Sequence, residues 1–306
     1  MSKFINPFTD YGFKLIFGRE VSKNLLIEFL NDLLEGERVI TDLTFLNNEQ
    51  LPDYPEGRGI IYDVYCTTDT GEKIIVEMQN RMQSNFKERS IFYLSRAIVN
   101  QGRTGHDWKF EIKAVYGVFL MNFIMDKNIK TDVILADKET GELFSEKFRQ
   151  IFIALPLFKK SEEECETNFE RWIYILNNME TLKRLPFKAR KAVFEKLEEI
   201  ADVASMSPKE RELYDNSVKV YRDYLVTMDA AEKEGIKKGM EEGLKEGMKE
   251  GLKKGLEEGL KKGLKKGREE ALNIFQTAID MKKQGIDNQL IAEKTGLPLS
   301  LIESLK

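Results

Sequence analysis

The sequence predicts an α/β protein, a mixed sheet flanked by helices, followed by a helical glycine-repeat tail of quite different character. Three observations carry this. Helical periodicity opens the chain, β-branched and aromatic segments alternate with it through about residue 158, and helical patterns return after Ser161. Beyond about residue 231 glycine recurs every fourth residue among lysine and glutamate.

Residues 8–35 read as helical. Phe13 and Phe17 sit four apart, Gly18 breaks the pattern, and Leu25, Leu26, Phe29, Leu30 and Leu33 then share one face. A short strand is expected at 40–46, then a polar loop with Pro52 and Pro55, then a hairpin at about 60–79. The segment 86–101 has helical spacing. "IKAVYGVFLMNF" (112–123) has the composition of a buried central strand. "TDVILAD" and "RQIFIALPLF", separated by a "KETGE" turn, predict two more strands, and helices follow from Ser161 to about Ala231.

The composition excludes several chemistries. Two cysteines, Cys66 and Cys165, rule out a disulfide scaffold and a cysteine zinc cage, and fit a reducing, cytoplasmic setting. The single histidine, His106, cannot build a His-rich metal centre and reads as a solvated turn residue. No charged-then-apolar leader opens the chain and no long apolar window occurs, so no membrane partner is expected. A net charge of −4 gives no global attraction to nucleic acid, so any DNA contact must be local.

The tail has glycine at every fourth position from Gly235 to Gly267, and an apolar residue follows each of the first eight. Glycine costs about 1 kcal/mol per helical position, while each Glu–Lys pair four apart returns only about 0.3–0.5 kcal/mol. An isolated helix is therefore not expected to be stable. A partner could reverse that, because glycine lets backbones approach, and a period above 3.6 implies right-handed winding. The tail is either a helical self-association segment, making a homo-oligomer, or a flexible linker. The last segment, 271–306, holds two short helical patterns. Its Ala292, Gly296 and Ile302 have helix-turn-helix spacing, and a plain helical hairpin fits equally.

The hairpin carries the chemistry. If its turn centres on Thr70, opposed residues sum to 140, which makes Asp63 and Glu77 cross-strand neighbours about 5 Å apart at Cβ. Gln79 lies on the same face. Like charges directly opposed destabilise a strand pair, so either the face is wet or a cation sits between them. Mg²⁺ suits such a site, being satisfied by two carboxylates, a carbonyl and waters. The segment 80–113 carries seven Lys/Arg against three Asp/Glu. Within it Arg89, Tyr93 and Arg96 form a stripe suited to phosphate contacts, or else a solvated helix face.

"YDVY…GEKIIVEMQ" with "FKERSIFYLSRA", preceded by "TDYGFKLIFG" and "LNNEQLPD", resembles the Rpn group of recombination-promoting nucleases, also labelled transposases, in the PD-(D/E)XK nuclease superfamily. The resemblance spans about residues 6–230 and implies a restriction-endonuclease-like core over 1–230, a repeat tail at 231–270 and a hairpin at 271–306. It implies a metal-dependent endonuclease of low sequence specificity acting on DNA, with Asp63 and Glu77 holding Mg²⁺. Tyr62 replaces the usual proline, and Gln79 stands where the superfamily has lysine. Glutamine can orient water or phosphate but carries no charge, so Arg89 or Lys73 is expected to supply it. A further acid is expected from Glu28 or Asp10. The rival reading is a non-catalytic DNA-binding or assembly protein that keeps the nuclease fold.

Overall fold

The structure is a computed structural model that describes residues 3–52, 56–103, 105, 109–187 and 191–305. His106 falls outside the described residues. Two compact units are present, Met1–Leu225 and Val226–Lys306.

The first unit is built on a six-stranded mixed sheet of order β1-β4-β5-β6-β8-β7. These strands are β1 (Leu43–Phe45), β4 (Val64–Thr68), β5 (Lys73–Gln79), β6 (Val115–Met121), β7 (Lys130–Ala136) and β8 (Leu143–Ala154). β5, β6 and β8 run parallel, and the other pairings are antiparallel. β6 is buried along its whole length, as its run of apolar residues requires of a central parallel strand. The expected start of the hairpin at residue 60 is corrected. Ile60–Ile61 forms β3, which leaves the main sheet to pair with β2 (Glu49–Gln50). The Tyr62 N–H donates to Asn48 O, which anchors this departure.

Helices cover both faces. On one side α1 (Asp10–Phe17), α2 (Lys23–Leu33), α4 (Asn168–Asn178) and α5 (Val193–Ala201) bury Phe13, Phe17, Phe29, Trp172 and Phe194. Trp172 Nε1 donates to Asp32, whose charge is balanced by Lys191 at 2.6 Å, so the buried polar groups are paired. On the other side α3 (Phe86–Val99) covers Tyr62, Tyr65, Phe119 and Phe152. Gly117 of β6 permits this approach, since a Cβ there would lie 2.6 Å from Leu94 of α3.

The N-terminus of α1 is fixed tightly. Thr9 caps it by accepting from the Gly12 N–H, and a Cβ on Gly12 would lie 2.2 Å from Asn6 O. The start of α6 (Pro208–Lys283) ties it down: Tyr214 Oη accepts from the Asn6 N–H at 2.8 Å, and Ser217 Oγ from the Tyr11 N–H at 3.1 Å.

In the second unit the glycine-repeat tail is helical throughout, as the expected architecture has it. Charge pairs four apart form along it, Glu234–Lys238 and Glu250–Lys254 at 2.7 Å. At a few tenths of a kcal/mol each they do not offset nine glycines at about 1 kcal/mol. The larger reserve is apolar. Ile236, Met240, Leu244, Met248, Leu252, Leu256, Leu260 and Leu264 are 58–77% exposed, and burying such a side chain contributes about 1.5–3 kcal/mol. The unit ends in α7 (Asn288–Thr295) and the six-residue α8 (Leu299–Ser304), joined by Gly296 at φ 72°. Ala278, Ile291 and Ile302 form their small core. No described helix is long and apolar enough to cross a membrane.

Candidate active site

The β4–β5 register runs from Val64↔Val76 to Thr67↔Lys73, and every pair sums to 140. Asp63 immediately precedes β4 and is level with Glu77. The two acids are interlocked through the backbone. The Asp63 N–H donates to Glu77 Oε1 at 3.0 Å, and the Met78 N–H donates to Asp63 Oδ2 at 2.9 Å. Asn48 Nδ2 donates to Asp63 O at 2.9 Å and holds the chain as it enters β4.

Glu77 is 2% exposed and Gln79 is 9% exposed. The Gln79 amide is oriented from both ends. Its Nε2 donates to Glu77 Oε2 at 3.1 Å, and its Oε1 accepts from Arg89 Nη2 at 2.7 Å. One amide N–H is left for another acceptor. Arg89 is braced by Gln83 Oε1 at 2.9 Å and lies 5.3 Å from the Tyr93 ring centroid.

Electrostatics single out the acid pair. Burial pushes the Asp63 carboxyl up, opposed by the Met78 N–H, by Lys14 and by Arg89, while the nearby charge of Asp10 reinforces the rise. Glu77 is pushed well above the usual carboxylate range, first by burial and then by the negative charge of Asp63. The cationic side chains nearby only partly offset this.

The other expected residues divide. Arg89 reaches the acid pair through Gln79. Arg96 instead donates from Nη2 to Leu51 O at 2.6 Å, and the carbonyl of Tyr93 accepts from Tyr62 Oη at 2.9 Å, so the α3 stripe serves two places. Asp10 and Lys14 form an ion pair at 2.7 Å on α1, close enough for both to act on Asp63. Glu28 is held by Lys191 at 2.7 Å, beside Asp32. Lys73 lies at the opposite end of β5, six residues and about 20 Å from Gln79, so it cannot supply charge there.

Next to Gln79 a cavity of about 260 Å³ is lined by Asp10, Gln79, Asn80, Gln83, Tyr221 and Tyr224 among others. Tyr221 Oη accepts from Asn122 Nδ2 at 3.3 Å, and Tyr224 Oη donates to Asn80 O at 3.2 Å. Sequence reasoning missed these tyrosines and Gln83. The tyrosines come from α6, more than 140 positions after Gln79, and no local pattern points from one to the other.

A hard divalent cation fits this donor set. It offers two opposed carboxylates whose charged forms lack full compensation, and among the described residues no hydrogen bond engages Asp63 Oδ1. Among the described residues no group of three or more His, Cys, Asp or Glu could cage an ion.

No curated protein and no solved structure matches the chain. A family model described as PD-(D/E)XK nuclease family transposase matches residues 7–231. That span holds the whole sheet, α1 to α5 and both acids, and it is well over half of the chain; the protein belongs to the PD-(D/E)XK nuclease family of transposases.

Proposed function

We propose that this chain is a Mg²⁺-dependent DNA endonuclease of low sequence specificity, acting in recombination or the movement of mobile elements. The observation that carries this reading is the interlocked, incompletely compensated pair Asp63–Glu77 in a chain of a nuclease family. PD-(D/E)XK nucleases generally depend on a divalent metal. Asp63 and Glu77 would hold it, and its charge would favour ionisation of a water and stabilise the departing oxygen.

The chain's own side chains set the geometry around that charge. Gln79, oriented by Arg89 and Glu77, points its remaining N–H at a water or a phosphate oxygen. Arg89 lowers the proton affinity of both carboxyls and places positive charge behind the Gln79 amide, which itself carries none. Lys14 adds a second cation on the α1 side. These groups address phosphate and water rather than base edges, which supports low specificity.

Purified protein should nick plasmid DNA with Mg²⁺ and not with EDTA, and Asp63→Ala and Glu77→Ala should abolish cutting. Equal cutting by both variants would overturn the assignment. Wild-type protein that binds DNA without cutting it would favour the non-catalytic reading, for which Gln79 in place of lysine is the supporting observation.

A further inference from the structure

The tail's charges are ordered in blocks. From Gly235 the two charged positions of successive repeats read Lys-Lys, Glu-Glu, Lys-Glu, Lys-Glu, Lys-Lys, Glu-Glu, Lys-Lys and Lys-Lys. They flank the exposed apolar row from Ile236 to Leu264, a continuous surface that a soluble helix does not ordinarily leave uncovered.

We infer that this helix is an antiparallel homodimerisation segment, covered by the same segment of a second copy in one defined register. In that register facing residues sum to 495. Lys237 and Lys238 then lie level with Glu258 and Glu257 of the other copy. Glu241 and Glu242 lie level with Lys254 and Lys253, Lys245 with Glu250, and Glu246 with Lys249. All twelve charged positions from Lys237 to Glu258 meet the opposite sign.

The same register brings Gly239, Gly243, Gly247, Gly251 and Gly255 level with Leu256, Leu252, Met248, Leu244 and Met240. Each glycine thus leaves room for an apolar side chain of the other copy. Beyond these glycines' own helix, nothing lies within 4 Å of where a Cβ would stand, so the room exists.

The nearest alternatives of similar length fail on charge. A parallel in-register pair sets Lys-Lys on Lys-Lys and Glu-Glu on Glu-Glu. Slipping the antiparallel pair by one repeat in either direction sets Lys237 and Lys238 against Lys253 and Lys254, or against Lys261 and Lys262. Like-charge juxtaposition of this kind is how interfaces reject a wrong register. The four-residue period requires the two helices to wind right-handedly. None of this depends on the nuclease reading, so the two can fail separately.

Sedimentation of the full-length protein should give a dimer at micromolar concentration. The double change Glu257→Lys with Glu258→Lys should weaken the dimer by about tenfold or more, since it turns attraction into repulsion at both ends of the paired segment. Adding Lys237→Glu and Lys238→Glu in the same chain should restore tight association. A parallel dimer would be indifferent to both sets, because like would face like throughout. As a second readout, Ile236→Cys with Leu260→Cys should oxidise to a covalent dimer, whereas Ile236→Cys alone should not; the native Cys66 and Cys165 are buried. A wild-type monomer, charge reversal without effect, or cross-linking by Ile236→Cys alone would overturn the inference.

Discussion

The two ends of the β4–β5 hairpin each bury a glutamate, and they treat it in opposite ways. At the turn, Glu72 pairs with Arg38 at 2.7 Å and accepts from the hydroxyls of Thr68 and Thr70. Burial alone would raise its pKa, but these contacts win and hold it at about 2. At the open end, Glu77 faces Asp63, receives among the described residues only a backbone N–H and the Gln79 amide, and is pushed well above the usual range. One hairpin therefore contains both a finished structural carboxylate and an unfinished pair. The difference teaches that burial is not what marks the site. What marks it is burial without an ion-pair partner of the kind Arg38 gives Glu72, next to a cavity lined by Asp10 and Gln79.

The sharpest way to break this comparison is at Arg89, which partly offsets the open end. Arg89→Ala is expected to lower the cutting rate about 100-fold. Because Arg89 favours the charged forms of Asp63 and Glu77, its loss should also move the acid limb of the pH–rate profile to higher pH. Arg89→Lys should recover part of both effects. An unmoved pH profile would mean that Arg89 acts only as a brace.

At the turn end, Glu72→Gln should cost about 1–3 kcal/mol in denaturant unfolding, with cutting retained. The sign follows from its lowered pKa. The wild type's advantage is present above the ordinary carboxylate range and fades as pH falls towards about 2. At the open end the sign is reversed. Raised pKa values mean that the metal-free pair favours folding at acid pH and opposes it as pH rises through the shifted values. Asp63→Asn should therefore stabilise the metal-free protein at neutral pH by about 1 kcal/mol, while removing activity. Equal destabilisation by both variants would erase the contrast between the two ends. The smallest expected effect is at Lys73, whose replacement by alanine should leave cutting unchanged, since it stands at the far end of β5.

Much of this site was legible in the sequence because its geometry is local. A turn at "DTG" sets the register, and the register sets Asp63 against Glu77. Gln79 follows from the alternation of β5. What was not legible depends on distant partners. Arg89 and Arg96 share a helix face, yet one turns to Gln79 and the other to Leu51. Ile60 and Ile61 continue the apolar pattern of β4, yet they leave the sheet because β2 offers them a partner. Tyr221 and Tyr224 reach the cavity from α6, which no short-range pattern connects to the hairpin. The helical tail was legible in its four-residue repeat, although propensity, which counts each glycine separately, argues against a helix standing alone.

The central claim is that the open end of the hairpin is a cation site. Calorimetric titration of Mg²⁺ into the wild-type protein and into Asp63→Ala at neutral pH tests it most directly. The account predicts saturable binding to the wild type, stronger as pH rises because the carboxyls must first lose their protons, and loss of that binding in the variant. Identical binding isotherms for the two proteins would contradict it.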